Sequence, residues 1–157
     1  GSEYHKLRGF LGRNVPEVRV DQARKTFSLI TRAIDSGLIK SCHDLSEGGL
    51  AVAAGEMALA GNCGVDLDLR KVPGQSVERN DTILFSESNS RFLVEVAAES
   101  SDRFEALAKG KVCSEIGKVT KTPQLRVRGL SGKTLVDIPV KQLDASWKHA
   151  LKTGARA

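Results

Sequence analysis

Residues 43–49, His-Asp-Leu-Ser-Glu-Gly-Gly, place an imidazole, two carboxylates and a hydroxyl directly before or beside a glycine pair. We call this segment the glycine turn. One interpretation is a phosphate-binding turn, because glycines let backbone amides face an anion at the start of a helix. The other is a capped helix start, in which Asp44 or Ser46 caps orphan amides and Glu47 complements the positive end of the helix dipole. A carboxylate at the helix start argues against direct phosphate binding by these amides unless a metal ion intervenes.

A second polar stretch, Ser-Glu-Ser-Asn-Ser-Arg at residues 86–91, is called the serine loop. Asn and Ser are common in tight turns, so Glu87 and Arg91 are either solvated charges or ligand contacts. The candidate ligand-binding residues are His43, Asp44, Ser46, Glu47, Gly48 and Gly49 in the glycine turn, and Glu87, Ser88, Asn89 and Arg91 in the serine loop.

Other patterns that could carry chemistry are weak. Ser-Gly-Lys at 131–133 lacks the full phosphate-loop pattern and is interpreted as a turn. No Ser/His/Asp or Cys/His set stands in a convincing context, so we predict no catalytic residue. The cysteines, Cys42, Cys63 and Cys113, show no CxxC spacing. We therefore predict neither a disulfide nor a metal site, and interpret the cysteines as small buried apolar residues.

Two pairs of elements are expected to position these segments. A strand over 38–43 leads into the glycine turn, and a helix over 49–61 follows it with a stripe of small apolar residues. The β-rich runs at 82–88 and 91–98 predict a hairpin with the serine loop near its tip.

The remaining pattern predicts an α+β fold. A helix begins at Asp21 as its N-cap and stops at Gly37. Further elements are a strand over 64–69, a helix over 100–110, short strands within 111–120, 124–129 and 134–140, a turn at 130–133 and a helix over 140–152. The order along residues 38–119 favours a split βαβ, ferredoxin-like core in a mixed sheet covered by helices.

Length and composition indicate one ordinary domain. The chain has 157 residues, of which we assign 1–20 to an arm or linker from a preceding domain and 21–157 to a single C-terminal domain. No apolar run approaches the roughly 20 residues that span a bilayer, so we expect a cytoplasmic protein. The net charge of +5 is not clustered with aromatics, which argues against nucleic-acid binding.

Taken together, "HDLSEGGLAVAAGEMALAGNCGVDLDL" and "LFSESNSRFLVEV" closely resemble the last domain of phosphoribosylformylglycinamidine synthase, the synthetase subunit of purine biosynthesis. The likeness runs from "GSEY" to "ASWKHAL" and covers nearly the whole chain. It implies the C-terminal-domain fold of the aminoimidazole ribonucleotide synthetase-related superfamily.

The resemblance also implies a reaction. ATP phosphorylates the amide oxygen of formylglycinamide ribonucleotide, and ammonia from a glutaminase displaces the phosphate to give the amidine. The implied cofactors of the full-length enzyme are ATP and Mg²⁺. The implied partners are the N-type domains of the same full-length chain and a glutaminase, with no nucleic acid and no membrane. The isolated domain is expected to be inactive and to need no cofactor of its own.

In this family a Glu-Ser-Gln turn of the first C-type copy binds substrate, and its counterpart here is Glu87, Ser88 and Asn89. Asn89 is one methylene shorter than the family's Gln, and the likeness is to the second copy. The resemblance therefore implies that the candidate residues line an auxiliary or degenerate nucleotide site, or brace an interdomain contact. The alternatives are a stand-alone nucleotide- or phosphate-binding module and a domain that pairs sheet edges with its relatives.

Overall fold

A computed structural model describes residues 2–9, 11, 12, 15–74 and 77–153, with the side chains of 150–153 left out. The helices are α1 (Glu3–Leu7), α2 (Val20–Asp35), α3 (Gly49–Gly61), α4 (Asn80–Phe85), α5 (Ser101–Ala108) and α6 (Val140–Thr153). The strands are β1 (Ile39–Asp44), β2 (Gly64–Asp68), β3 (Phe92–Val96), β4 (Gly117–Thr120), β5 (Gln124–Arg128) and β6 (Thr134–Pro139). The predicted α+β class is confirmed.

The chain folds into two units, each with its own sheet. Unit 1 comprises Gly1–Ala53 and Pro73–Ser114, and unit 2 comprises Ala54–Val72 and Glu115–Ala157. The assignment of residues 1–20 to an arm and of 21–157 to one domain stays a prediction.

Unit 1 is built on an antiparallel pair of strands. β1 pairs with β3 so that Asp44 lies opposite Phe92 and Cys42 opposite Val94. α2 and α5 supply the apolar side chains that cover this pair, because buried residues of both helices form one cluster with the neighbouring strand residues. The cluster contains Leu29, Ala33, Leu38, Phe104 and Ala108.

The first long helix has the predicted position but a different N-cap. α2 begins two residues earlier than expected, with Arg19 as an N-cap that makes no side-chain capping bond. Asp21 lies in the first turn, where its negative charge complements the helix dipole. The predicted stop is confirmed, since Gly37 adopts a positive φ of 65°.

The predicted hairpin is wrong in its first strand. Residues 80–85 form α4, and only the second run forms a strand, β3. The neighbours Ile83 and Leu84 are both buried, whereas successive residues of a strand point to opposite faces. Asp81 also stabilises the first turn of α4, since its Oδ1 accepts a hydrogen bond of 2.9 Å from the Thr82 amide.

Unit 2 contains a mixed four-stranded sheet with the order β4-β2-β5-β6. β2 runs antiparallel to β4 and parallel to β5, while β5 and β6 are antiparallel. Alternate residues of the two central strands are buried, as the alternating sequence predicts; they are Val65, Leu67, Leu125 and Val127.

The split βαβ core does not form as one four-stranded sheet. Of the pairings that it requires, the structure has β1 with β3, but β2 pairs with β4 and β5. A strand has only two edges, and Val65 of β2 already lies opposite Val119 on one side and Leu125 on the other. β2 therefore has no edge left for β3.

The arm contains a short helix, α1, that the sequence pattern does not indicate. The Tyr4 ring of α1 stacks on Phe85 of α4, with centroids 4.7 Å apart and planes 1° from parallel. Its hydroxyl donates a hydrogen bond of 2.9 Å to Asp81 Oδ2. Arg79 donates to the same carboxylate, with Nε 3.0 Å from Oδ1. An aromatic stack and a charge-assisted bond thus fix the start of the chain on α4.

The interpretation of the cysteines as buried residues is wrong. All three cysteines are free thiols, but Cys42 and Cys113 are exposed and Cys63 is half-buried. Partial burial nevertheless raises the pKa of the Cys42 and Cys113 thiols.

No helix in the described part of the chain has both the length and the apolar character needed to cross a bilayer.

Gly117 tests the close approach of β4 to β2. A Cβ at this position would be 2.9 Å from Leu67 Cδ2 and closer still to the Asp66 carbonyl oxygen. Gly117→Ala is expected to lower the free energy of unfolding by about 1–3 kcal/mol, the usual range for overpacking. Urea unfolding followed by the fluorescence of Trp147, the single tryptophan, measures it.

The matched control is Gly74→Ala, because no atom lies within 4 Å of a Cβ at that position. Equal unfolding midpoints for the two variants would contradict the β4–β2 packing.

The Tyr4–Asp81 bond predicts a pH dependence of arm docking. The hydrogen bond to Asp81, assisted by desolvation, raises the pKa of the Tyr4 phenol above its ordinary value of 10.0. The docked arm is therefore fully stabilised below the pKa of the unfolded chain, and this stabilisation is lost as the pH rises through the folded-state pKa.

Asp81→Asn should move the pKa of Tyr4 down towards its ordinary value. Ultraviolet absorbance of tyrosinate reports this directly, since the chain has one tyrosine. The control is Asp137→Asn, whose carboxylate bonds to Gln124 and Arg126. An unchanged Tyr4 titration in Asp81→Asn would show that the bond is absent.

Candidate functional site

The pairing of β1 with β3 brings the glycine turn and the serine loop together. The glycine turn continues from the end of β1, and the serine loop leads into the start of β3. The Leu45 amide donates a hydrogen bond of 3.0 Å to the Arg91 carbonyl oxygen, which extends the strand ladder by one pair. All ten candidate residues therefore lie in unit 1, in two adjoining segments that we call the corner.

Two consecutive glycines bend the chain into α3. Gly48 and Gly49 have φ angles of 73° and 61°, in the left-handed region that side chains disfavour. A Cβ on Gly49 would lie 2.6 Å from the Ser86 carbonyl oxygen and 2.9 Å from that of Leu84. A Cβ on Gly48 would collide with the Val52 side chain. Backbone conformation and close packing thus both require glycine here.

Glu87 links the corner to the arm through a single atom. Its Oε1 accepts a hydrogen bond of 2.9 Å from the Gly48 amide and another of 2.9 Å from the Glu3 amide at the start of α1. The Gly49 amide donates to the Ser46 carbonyl oxygen at 3.1 Å. Both glycine amides therefore already have acceptors within the protein.

The polar side chains before the glycines bond mainly to one another. The Ser46 hydroxyl donates to the Asp44 carboxylate, and this bond lowers the pKa of Asp44. His43 Nδ1 donates to the Asp44 carbonyl oxygen at 2.7 Å, and Glu47 is exposed. The predicted capping role of Asp44 or Ser46 is wrong, because the carboxylate that meets the Gly48 amide comes from Glu87.

The serine loop is held by its own polar groups. The hydroxyls of Ser86 and Ser88 lie 2.8 Å apart, and Asn89 Nδ2 donates to the Pro16 carbonyl oxygen at 3.2 Å. Arg91 Nη1 donates to the Ser86 carbonyl oxygen at 3.2 Å. Burial lowers the pKa of the Arg91 guanidinium, because desolvation disfavours its charged form.

The contacts of the arm cannot be predicted from the sequence pattern. Glu3 and Tyr4 are distant in sequence from the residues they meet, and the "GSEY" segment that contains them gives no sign of these contacts. The only available signal is compositional: Tyr4 is the single tyrosine, placed in a mostly polar segment.

No three His, Cys, Asp or Glu side chains group so as to hold a metal ion anywhere in residues 2–9, 11, 12, 15–74 and 77–153.

Gly49 provides a test of the contact between the two segments. Gly49→Ala combines left-handed strain of about 1–2 kcal/mol with a steric conflict of about 1–3 kcal/mol. The matched control is Gly37→Ala, which has a φ of 65° but no atom within 4 Å of its Cβ. Urea unfolding followed by circular dichroism should show a larger loss of stability for Gly49→Ala. Equal losses would contradict the close approach.

The comparisons with known proteins agree on one family. The family described as AIR synthase related protein, C-terminal domain, matches residues 1–129. The phosphoribosylformylglycinamidine synthase subunit PurL of Caldanaerobacter subterraneus subsp. tengcongensis is 35% identical over 154 residues, covering 97% of this chain and 20% of the relative. The same subunit of Moorella thermoacetica is 36% identical, covering 96% of this chain and 20% of the relative. The chain thus spans about a fifth of the length of these relatives.

Solved structures show the same fold. T. maritima PurL complexed with FGAR matches with a TM-score of 0.69 and 24% identity, over 77% of this chain and 20% of that chain. The ATP complex has a TM-score of 0.68 at 24% identity, over 76% and 21%. PurLQS from Thermotoga maritima has a TM-score of 0.69 at 24% identity, over 77% and 21%. With the match over residues 1–129, these likenesses confirm the predicted C-terminal-domain fold, although without the single split βαβ sheet, and the chain belongs to the family of AIR synthase related proteins, C-terminal domain.

Proposed function

We propose that this chain is the C-terminal domain of a phosphoribosylformylglycinamidine synthase, an ATP-dependent amidoligase of purine biosynthesis, and is inactive alone. The observation that carries the proposal is that PurL relatives match 97% of the chain at 35% identity while the chain spans only 20% of their length. Such a ratio is expected of one domain of a larger enzyme.

The proposed reaction of the whole enzyme has two steps. The amide oxygen of formylglycinamide ribonucleotide attacks the γ-phosphorus of ATP and releases ADP. Ammonia then adds to the activated carbon, and phosphate leaves with the former amide oxygen to give the amidine. The FGAR and ATP complexes of T. maritima PurL support this substrate pair.

ATP and Mg²⁺ do not fit the corner of this chain. The amides of Gly48 and Gly49 donate to Glu87 and Ser46, and the described residues offer no cluster of three carboxylate, imidazole or thiolate groups. We therefore assign no chemical step to these residues. The ten candidate residues are proposed to form a degenerate site whose role is to brace the fold.

The proposed partners are the N-type domains of a longer chain and a glutaminase that supplies ammonia, in the cytoplasm. The likeness to PurLQS of Thermotoga maritima supports an assembly of this kind. Residues 41–102, the stretch that contains the corner, carry four Lys or Arg against eleven Asp or Glu. This net negative charge disfavours a nucleic-acid partner.

An assay with formylglycinamide ribonucleotide, Mg-ATP and ammonia tests the proposal. We expect no turnover from this chain and normal turnover from the Moorella PurL subunit as positive control. Deleting from that subunit the fifth that matches this chain is expected to abolish its activity. Turnover by this chain alone, or full activity of the truncated subunit, would refute the proposal.

The alternative is a stand-alone nucleotide- or phosphate-binding module, which the cluster of hydroxyls and Arg91 in the serine loop favours. Calorimetric titration of the chain with Mg-ATP separates the two. A degenerate site predicts no heat at millimolar nucleotide, whereas saturable heat that is lost in Arg91→Ala would favour the module.

A further inference from the structure

Glu87 lies at the meeting point of three segments that are far apart in sequence. Its Oε1 accepts one hydrogen bond from the Glu3 amide, 84 residues away, and one from the Gly48 amide, 39 residues away. Both distances are 2.9 Å, within the normal range for an amide donating to a carboxylate.

On the arm side, further contacts support this link. Tyr4 stacks on Phe85 and donates to Asp81, while Asn89 donates to the Pro16 carbonyl oxygen. The arm is thus fixed to α4 and the serine loop at points on either side of Glu87 in the sequence. Its docking brings the Glu3 amide to the carboxylate.

On the turn side, the packing leaves little freedom. The Gly49 backbone approaches the carbonyl oxygens of Leu84 and Ser86 so closely that no Cβ fits between them. The segment that carries Glu87 is therefore packed against the glycine turn, and the carboxylate reaches Gly48 from this fixed position.

We propose that Glu87 is a positioning residue that couples docking of the arm to the conformation of the glycine turn. With the arm docked, the two amides hold one carboxylate oxygen in place. When the arm leaves, the side chain loses one of its two fixed contacts and regains rotamer freedom, which weakens its bond to Gly48. The coupling rests on contacts within unit 1 and is independent of the proposed role in amidine synthesis.

Amide hydrogen exchange measured by NMR tests the coupling on the 157-residue chain. Tyr4→Ala removes the stack and the bond to Asp81, and should speed exchange of the Gly48 amide about tenfold. Leu7→Ala is the matched control on α1, because Leu7 is 84% exposed, and it should leave Gly48 unchanged. The Leu29 amide of α2 reports unfolding of unit 1, because the Leu29 side chain belongs to the buried cluster of that unit, and it should be unaffected in both variants.

Variants of Glu87 separate positioning from general stability. Glu87→Ala should speed exchange of the Gly48 and Glu3 amides together, whereas Glu87→Gln keeps a carbonyl acceptor and should stay within about threefold of the wild type. If Tyr4→Ala also speeds exchange of the Leu29 amide, Asp81→Asn provides a milder loosening of the arm, with about threefold faster Gly48 exchange expected. The proposal would be overturned if loosening the arm left the exchange rate of the Gly48 amide unchanged. Equally fast exchange of this amide in Glu87→Gln and Glu87→Ala would also overturn it.

Discussion

The antiparallel pairing of β1 with β3 is the constraint on which the corner depends. Its register places Asp44 opposite Phe92, so that the segment leaving one strand meets the segment entering the other. Because side chains alternate with a period of two, a slip by one residue would turn His43 and its neighbours to the other face. The two glycines and Glu87 then fix what the strands have brought together.

The polar groups of the corner form hydrogen bonds within the chain, and this distinguishes the corner from a ligand-binding cleft. Anion sites at helix starts depend on free backbone amides, and here a carboxylate from the same chain meets the Gly48 amide while a carbonyl oxygen meets that of Gly49. Glu87 thus supplies the negative charge that a phosphate would otherwise bring. This arrangement agrees with a bracing role in a domain whose relatives are about five times longer.

Local patterns predicted the elements well, and contacts distant in sequence were the main source of error. The stripe of small residues located α3, the strict alternation located β2, and Gly37 located the end of α2. The high β-propensity of residues 82–88 predicts a strand, yet burial of the adjacent Ile83 and Leu84 favours the helix α4. The hydrogen bonds from Tyr4 to Asp81 and from the Glu3 amide to Glu87 join residues more than 70 positions apart, which no local pattern encodes.

The most direct test of this account is the register of β1 against β3 in solution. In an antiparallel ladder the Hα atoms of residues in non-hydrogen-bonded pairs lie close together. Since the Leu45 amide bonds to the Arg91 carbonyl oxygen, these pairs are Asp44 with Phe92 and Cys42 with Val94. NMR should show strong Hα–Hα nuclear Overhauser effects for both. Effects displaced by one residue, or none between these segments, would contradict the joined corner.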